Sequence, residues 1–154
     1  MSVLQLGCGI RPIAGAVNHD KTKHDDFIDV VWDLDVTPWL WADNAFDKAI
    51  ALDVMEHLRI EVSEWLDECW RILKPDGLLV LRLPAWNHEN SHIDPTHRRL
   101  FHQRTFEYWD KSKELYRNYG SFTYGKSNKW WSIERVDMMD NGANIFYLLR
   151  KEIS

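Results

Sequence analysis

Cysteine is scarce in this chain: Cys8 and Cys69 are the only two in 154 residues. Two thiols make no disulfide framework and point to a reducing, cytoplasmic setting. Long apolar runs are missing too, since none approaches the roughly 20 residues that a membrane helix needs. No membrane partner is therefore expected. The N-terminus has no basic stretch followed by an apolar one, which argues against a secretory signal. Positive charge is not in excess either. A formal net charge of −5 speaks against the basic surface of a nucleic-acid binder. No linker rich in Gly, Ser or Pro, no repeat and no low-complexity stretch interrupts the sequence. One domain spanning residues 1–154 is expected. Tryptophan, in contrast, is abundant: the nine present exceed what a core of this size requires.

Apolar periodicity supplies the architecture. Ser2 to Leu6 reads as a buried strand stopped by the turn Gly7-Cys8-Gly9. Ala16 to Asp20, Ile28 to Leu34 and Phe46 to Leu52 read as three further strands. Leu58, Val62, Trp65, Leu66, Cys69, Ile72 and Leu73 then fall on one helical face. Lys74-Pro75-Asp76-Gly77 forms a turn, and Leu78 to Leu83 a central strand. From Ala85 to Arg104 the sequence is polar, irregular and rich in histidine. Asp94-Pro95-Thr96-His97 reads as a turn there, with Asp94 capping and Pro95 beginning a short helix. Thr105 is placed to cap a helix running through Tyr119. Trp130 to Val136 and Ile145 to Leu149, around Asp140-Asn141-Gly142, read as a closing hairpin. This pattern predicts a Rossmann-like three-layer α/β sandwich. Its sheet has six to seven mostly parallel strands and a C-terminal antiparallel hairpin. Only Ile10 to Gly15 join the first two strands, so a shortened first crossover helix is expected.

In such sheets ligands sit beyond the carboxyl ends of the strands. That rim carries Gly7, Cys8 and Gly9, then Asp20, then Asp33 with Leu34, then Leu52 with Asp53. Glycine lets backbone approach a ligand. Asp20 can accept hydrogen bonds from a ribose diol. Asp33 can accept from an adenine amino group, and Leu34 can cover the ring. In order and on one rim, these residues favour an adenosine site. Cys8, small and set between two glycines, reads as a turn residue rather than a nucleophile.

The segments V-L-Q-L-G-C-G, G-A-V-N-H-D, V-V-W-D-L, F-D-K-A-I-A-L-D-V-M-E-H-L and R-I-L-K-P-D-G-L-L-V-L-R-L-P resemble the small class I S-adenosylmethionine-dependent methyltransferases, well over residues 2–86 and loosely beyond. The resemblance implies S-adenosylmethionine as cofactor and S-adenosylhomocysteine as product (a reaction of class EC 2.1.1). It implies that Gly7, Cys8 and Gly9 face the methionine part, Asp20 holds the ribose, and Asp33 with Leu34 holds adenine. Leu52 and Asp53 border the methionine end. Two departures stand out. Gln5 replaces the family's common acid and can orient the glycine loop only by neutral hydrogen bonds, and Arg11 stands where a third glycine is usual. The short first crossover also weighs against a dinucleotide, whose pyrophosphate needs a helix N-terminus. An S-adenosyl cofactor carries no phosphate.

The acceptor, a small molecule or another unidentified nucleophile, is expected under Trp86 to His102. His88 and His92 are the candidate general bases there. His57, at the helix entry, reads as structural. His88, His92, Asp94 and His97 could ligate a metal, but their spacing fits no specific motif, so no metal is assigned. Arg98, Arg99 and Arg104 form a basic cluster, and Asn128-Lys129-Trp130-Trp131 reads as packing. Trp39 and Trp41 are placed to cover the adenine, while Trp32, Trp65 and Trp70 belong to the core. Trp86, Tyr108, Trp109, Tyr119 and Tyr124 surround the acceptor side. A chain that opens on its first strand lacks N-terminal capping helices, so the site is expected to be open or covered by a second subunit of a homo-oligomer. The alternatives are a non-catalytic S-adenosyl-binding module and a metal-dependent enzyme built on the 88–102 histidine loop.

Overall fold

A computed structural model describes residues 1–120 and 128–153. Seven strands form one sheet: β1 (Val3–Leu6), β2 (Val17–Asp20), β3 (Val30–Val31), β4 (Phe46–Leu52), β5 (Leu73–Pro84), β6 (Trp130–Met139) and β7 (Asn144–Glu152). Their order is β3-β2-β1-β4-β5-β7-β6. β1 to β5 pair in parallel, and β7 runs antiparallel to both β5 and β6. The order reverses beside β1, where β2 and β4 flank it on either side. That arrangement opens a crevice for a ligand above the β1 carboxyl end.

α1 (Val62–Ile72) joins β4 to β5 and buries Trp65, Leu66, Cys69 and Ile72. They pack in one cluster with Ala49 and Ala51 of β4, Leu79, Leu81 and Leu83 of β5, and Ile145, Tyr147 and Leu149 of β7. Fully burying a side chain of this size stabilises by about 1.5–3 kcal/mol, so α1 is secured mainly by this face. Alternation within the strands gives the other sheet face to Ile50, Leu78, Val80, Phe146 and Leu148, all half-buried. The sandwich is therefore deep on the α1 side and thin on the other.

The first crossover contains no helix. Ile10 to Gly15 is a loop, stitched to β1 by Gln5, whose Oε1 accepts from Ile13 N (2.8 Å) and whose Nε2 donates to Arg11 O (3.0 Å). The neutral hydrogen bonds expected of Gln5 are thus present. The crossover from β3 to β4 is also helix-free. Trp39 and Trp41 fill the place of a helix by packing edge-to-face on each other, Trp39 also on Trp65 and Trp41 on Phe46.

Four local expectations are corrected. The third strand shrinks to Val30–Val31, because Asp29 turns its carboxylate back to Asn18 N (2.8 Å) and Asp33 caps a turn at Asp35 N (3.0 Å). Lys74 to Gly77 lies inside β5 as an excursion between the pairings Phe46–Leu73 and Lys48–Leu78. Asp94 caps the expected turn by accepting from Thr96 N (2.8 Å), but Pro95 starts no helix, and the short α2 (Asn90–Ile93) lies before it. The helix expected from Thr105 stops at Trp109. There Asp110 takes Ser112 N (2.9 Å) and Ile133 N (2.9 Å), exchanging helix continuation for a tie to β6. The closing hairpin forms as expected, its turn using positive φ at Asp140, Asn141 and Gly142.

Candidate functional site

Two cavities open at the carboxyl ends of the parallel strands. The first, about 310 Å3, is walled by Gly7 and Gly9 after β1, Asp20 and Lys21 after β2, and Asp33 and Leu34 after β3. His19, Trp32, Asp35, Asp53, Val54, His57 and Leu58 complete it. The second, about 600 Å3, includes Arg11, Asp53, Glu56, His57, Arg82 and His97 in its wall. Asp53 and His57 belong to both.

The glycine turn is held by its own neighbours. Gly7 N donates to His19 Nδ1 (3.1 Å), Cys8 N to His19 O (2.8 Å) and Gly9 N to Asp20 Oδ2 (2.8 Å). All three amides are thereby spent within the protein, which leaves none for the phosphates of a dinucleotide. His19 is the residue that sequence reasoning missed. Its Nε2 lies 2.9 Å from Trp32 O, so it donates there and keeps Nδ1 as an acceptor for Gly7. Burial lowers the His19 pKa, which favours the neutral ring that this hydrogen-bond pattern requires. Gly7 (φ +62°) leaves no room for a Cβ, which would lie 2.6 Å from Val54 Cγ2. Gly9 (φ +54°) has nothing within 4 Å of that position.

Asp20 lines the first cavity with its oxygens held by Gly9 N and Lys21 N (2.7 Å). Carboxylate oxygens have lone pairs beyond these bonds. The Asp33 pKa is lowered first by the Asp35 amide and then by Lys21, 3.1 Å away. Leu34 is buried beside it. Asp35 accepts from Arg59 N (2.7 Å) and Ile60 N (2.9 Å) and so fixes the approach to α1. Asp53 pairs with Arg82, which holds it at the junction of the cavities. Of the other residues expected on the rim, Cys8 is buried and lines neither cavity, and Leu52 lies on the half-buried sheet face.

The histidine segment divides unexpectedly. His88 Nδ1 accepts from Asn90 N (3.1 Å), His92 Nε2 lies 3.3 Å from Trp86 O, and neither ring lines the two cavities. His57 and His97 face each other instead, ring centroids 4.6 Å apart. His57, read from sequence as structural, lies in the shared wall. Glu56 beside it is 1% exposed, and burial pushes its pKa up to about 8. Burial, followed by the neighbouring His97, lowers the pKa of His57. The helical neighbourhood of Glu56 and His57 was visible in M-E-H-L, but their meeting with His97 depends on tertiary placement.

The aromatic assignments exchange places. Trp39 and Trp41 are core residues, whereas Trp32 lines the first cavity. Trp109 is buried, Trp86 is exposed, and Tyr124 lies outside the described residues. Arg99 is used structurally, donating to Leu58 O (3.0 Å) and Ile60 O (2.8 Å). Arg104 pairs with Glu107, and Trp130 and Trp131 pack inward. No helix among the described residues is long and apolar enough to cross a membrane.

The sequence of residues 13–81 matches a family described as a methyltransferase domain. No curated protein matches the chain. Among solved structures, an S-adenosylmethionine-dependent methyltransferase from Archaeoglobus fulgidus is similar at TM-score 0.67 and 16% identity, over 98% of this chain and 86% of that one. One from Mesorhizobium loti aligns at TM-score 0.60 and 13% identity, over 97% and 90%. A Haloferax volcanii structure of a complex with the Trm112 methyltransferase activator aligns at TM-score 0.60 and 15% identity, over 97% and 81%. Such low identities establish fold alone. By fold over nearly its whole length, and by sequence over residues 13–81, this chain resembles the class I S-adenosylmethionine-dependent methyltransferases.

Proposed function

We propose that the chain transfers a methyl group from S-adenosylmethionine to a nucleophile seated in the larger cavity. The supporting observation is the common wall: Asp53 and His57 border both the smaller, adenosine-like cavity and the larger one. The residues present suit this cofactor. The open position at Gly9 leaves space for a ligand against backbone, the loop amides are closed to phosphate, and carboxylates surround the cavity as a cationic sulfonium and ammonium require. When bound, the cofactor would supply a sulfonium-activated methyl group. Gly7 and Gly9 would lie along its methionine part, Asp20 would accept from the ribose, and Asp33 with Leu34 would take the adenine. Cys8 and Leu52 would support the walls from behind.

His57 is better placed than His88 or His92 to accept a proton. Its Nδ1 lies 2.7 Å from Thr96 Oγ1, and Thr96 donates its hydroxyl hydrogen to Asp94 Oδ1 (2.7 Å). His57 Nδ1 must therefore carry the hydrogen, which leaves Nε2 as the acceptor. Arg82, held by Asp53, would position the acceptor molecule. A second copy of the chain covering the open site belongs to this reading.

Calorimetric titration with S-adenosylmethionine and S-adenosylhomocysteine tests it. Micromolar binding, about −8 kcal/mol, weakened at least tenfold by Asp20→Ala, is expected. Methyl transfer to a screened set of acceptors should then fall in His57→Ala and persist in His88→Ala and His92→Ala. No binding of either ligand would refute the reading. Binding without turnover on any acceptor would identify a non-catalytic binding module.

A further inference from the structure

We propose that Glu56, His57 and His97 form a site for one divalent metal ion of the zinc or manganese class, placed where the two cavities meet. One ligand atom from each of the three side chains lies within 4.8 Å of the others. Bonds of about 2.1 Å to a tetrahedral ion put ligands roughly 3.4 Å apart. Small side-chain rotations therefore close the site around an ion.

Three observations favour an ion over a purely internal role. Glu56 is 1% exposed, and its Oε2 has no hydrogen-bond partner among the described residues. A buried carboxylate without a partner is costly, and a cation removes that cost. His57 Nε2 lies 3.8 Å from the other oxygen, Oε1, beyond hydrogen-bond distance, so the ring makes no hydrogen bond to the carboxylate there either.

The second observation is the orientation of His57. The Asp94–Thr96 pair fixes hydrogen on Nδ1 and leaves the Nε2 lone pair free, 3.8 Å from Glu56 Oε1. An outer hydrogen bond that sets the tautomer of a histidine is the usual support of a metal ligand. Third, His97 Nδ1 is buried and has no hydrogen-bond partner among the described residues, while its Nε2 lies 3.8 Å from Asp94 Oδ2. Asp94 thus stands behind both histidines.

Two imidazoles and one carboxylate form a borderline donor set, suited to zinc or manganese. Three protein ligands leave coordination positions open. All three residues belong to the wall of the larger cavity, so a ligand there could reach the ion. Of the residues considered as ligands from sequence, only His97 joins this set; Asp94 acts behind it, and His88 and His92 stay outside. The site rests on the proposed methyl transfer only for its place beside an acceptor. Its metal affinity stands apart from that reading: an ion on Nε2 would take the lone pair that His57 offers to a proton, so His57 is a base only in the metal-free chain.

The full chain, stripped with EDTA and shown folded by circular dichroism, would be titrated calorimetrically with Zn2+ and Mn2+. A parallel titration would use S-adenosylhomocysteine. One ion per chain is expected. Glu56→Gln and His97→Asn should each weaken it at least tenfold, and Thr96→Val about tenfold through the lost tautomer control. No saturable binding of either metal to the folded chain would overturn the proposal. Binding that survives both Glu56→Gln and His97→Asn would overturn it equally. Metal binding without S-adenosylhomocysteine binding would uphold this site and refute the methyltransferase reading. The reverse result would do the opposite.

Discussion

Removing the Arg71 guanidinium should destabilise the chain by about 3–5 kcal/mol, although Arg71 is a charged residue near the surface. Arg71 sits in the last turn of α1 and ties that helix to the helix-free crossover between β3 and β4. Its Nη1 donates to Trp41 O (2.7 Å), and its Nη2 to Trp39 O (3.0 Å). Both Nε and Nη2 also bind the Glu68 carboxylate at 2.8 Å. Glu68 is 8% exposed and further accepts from Trp39 N (2.6 Å). Burial alone would raise the Glu68 pKa, but the hydrogen bonds from Arg71 and Trp39 reverse this and lower it. Arg71→Ala strands the buried Glu68 charge and frees two carbonyls, the situation that costs about 3–5 kcal/mol. At about 2–4 °C per kcal/mol for a domain near this size, the melting temperature should fall by roughly 10 °C. Urea denaturation followed by circular dichroism and tryptophan fluorescence measures the change. Arg135→Ala provides the control, because its pair with Asp137 is largely exposed and should contribute under about 1 kcal/mol. A cost for Arg71→Ala no larger than the control's would refute the argument that this arginine secures the helix-free crossover to α1.

The two glycines of the first turn should respond differently. Gly7→Ala drives a methyl group into Val54 and should destabilise by about 2–4 kcal/mol, combining overpacking with positive-φ strain. Gly9→Ala should cost only the strain, about 1–2 kcal/mol, while weakening S-adenosylhomocysteine binding; equal stabilities in denaturation would contradict this. The pH dependence should report His19. Its folded pKa lies below its unfolded value near 6.5, so its contribution is complete above about pH 6.5 and is lost as pH falls toward the folded value. Protonation of Nδ1 in the folded chain also removes the acceptor for Gly7 N, so cofactor affinity should decline as pH falls through the lowered folded value. Calorimetric titrations between pH 5 and 8 would show it, and His19→Asn should flatten the profile. An unchanged profile in that variant would exclude His19 as the titrating group. Asp110→Ala, which unties Ser112 and Ile133 from one buried carboxylate, should lower stability by about 2–3 kcal/mol, measured by the same denaturation.

Much of this molecule is set by local sequence. Apolar periodicity placed β4 without error and located α1 and the hairpin, because those patterns reflect which face each element buries. The spacing of only a few residues after Gly9 excluded a full first crossover helix, and the order of Gly7, Gly9, Asp20, Asp33 and Asp53 marked the rim. Tertiary structure decided which side chains line the two cavities and which face the core. Strand length in β3 fell because Asp29 and Asp33 found backbone partners off the strand. Trp32 and Trp39 exchanged expected roles because a short loop must fill the volume of a missing helix, and only the packing around Trp65 selects the indoles that do so. The same applies to the histidines. His57 and His97 are 40 residues apart in sequence, yet they meet because the segment after β5 folds back across the residues that follow β4, with Arg98 N bonded to Glu56 O. Composition and spacing carry the pattern of burial along a chain. Contacts between distant residues depend on how loops close over the sheet, and a single sequence records that closure only in its folded form.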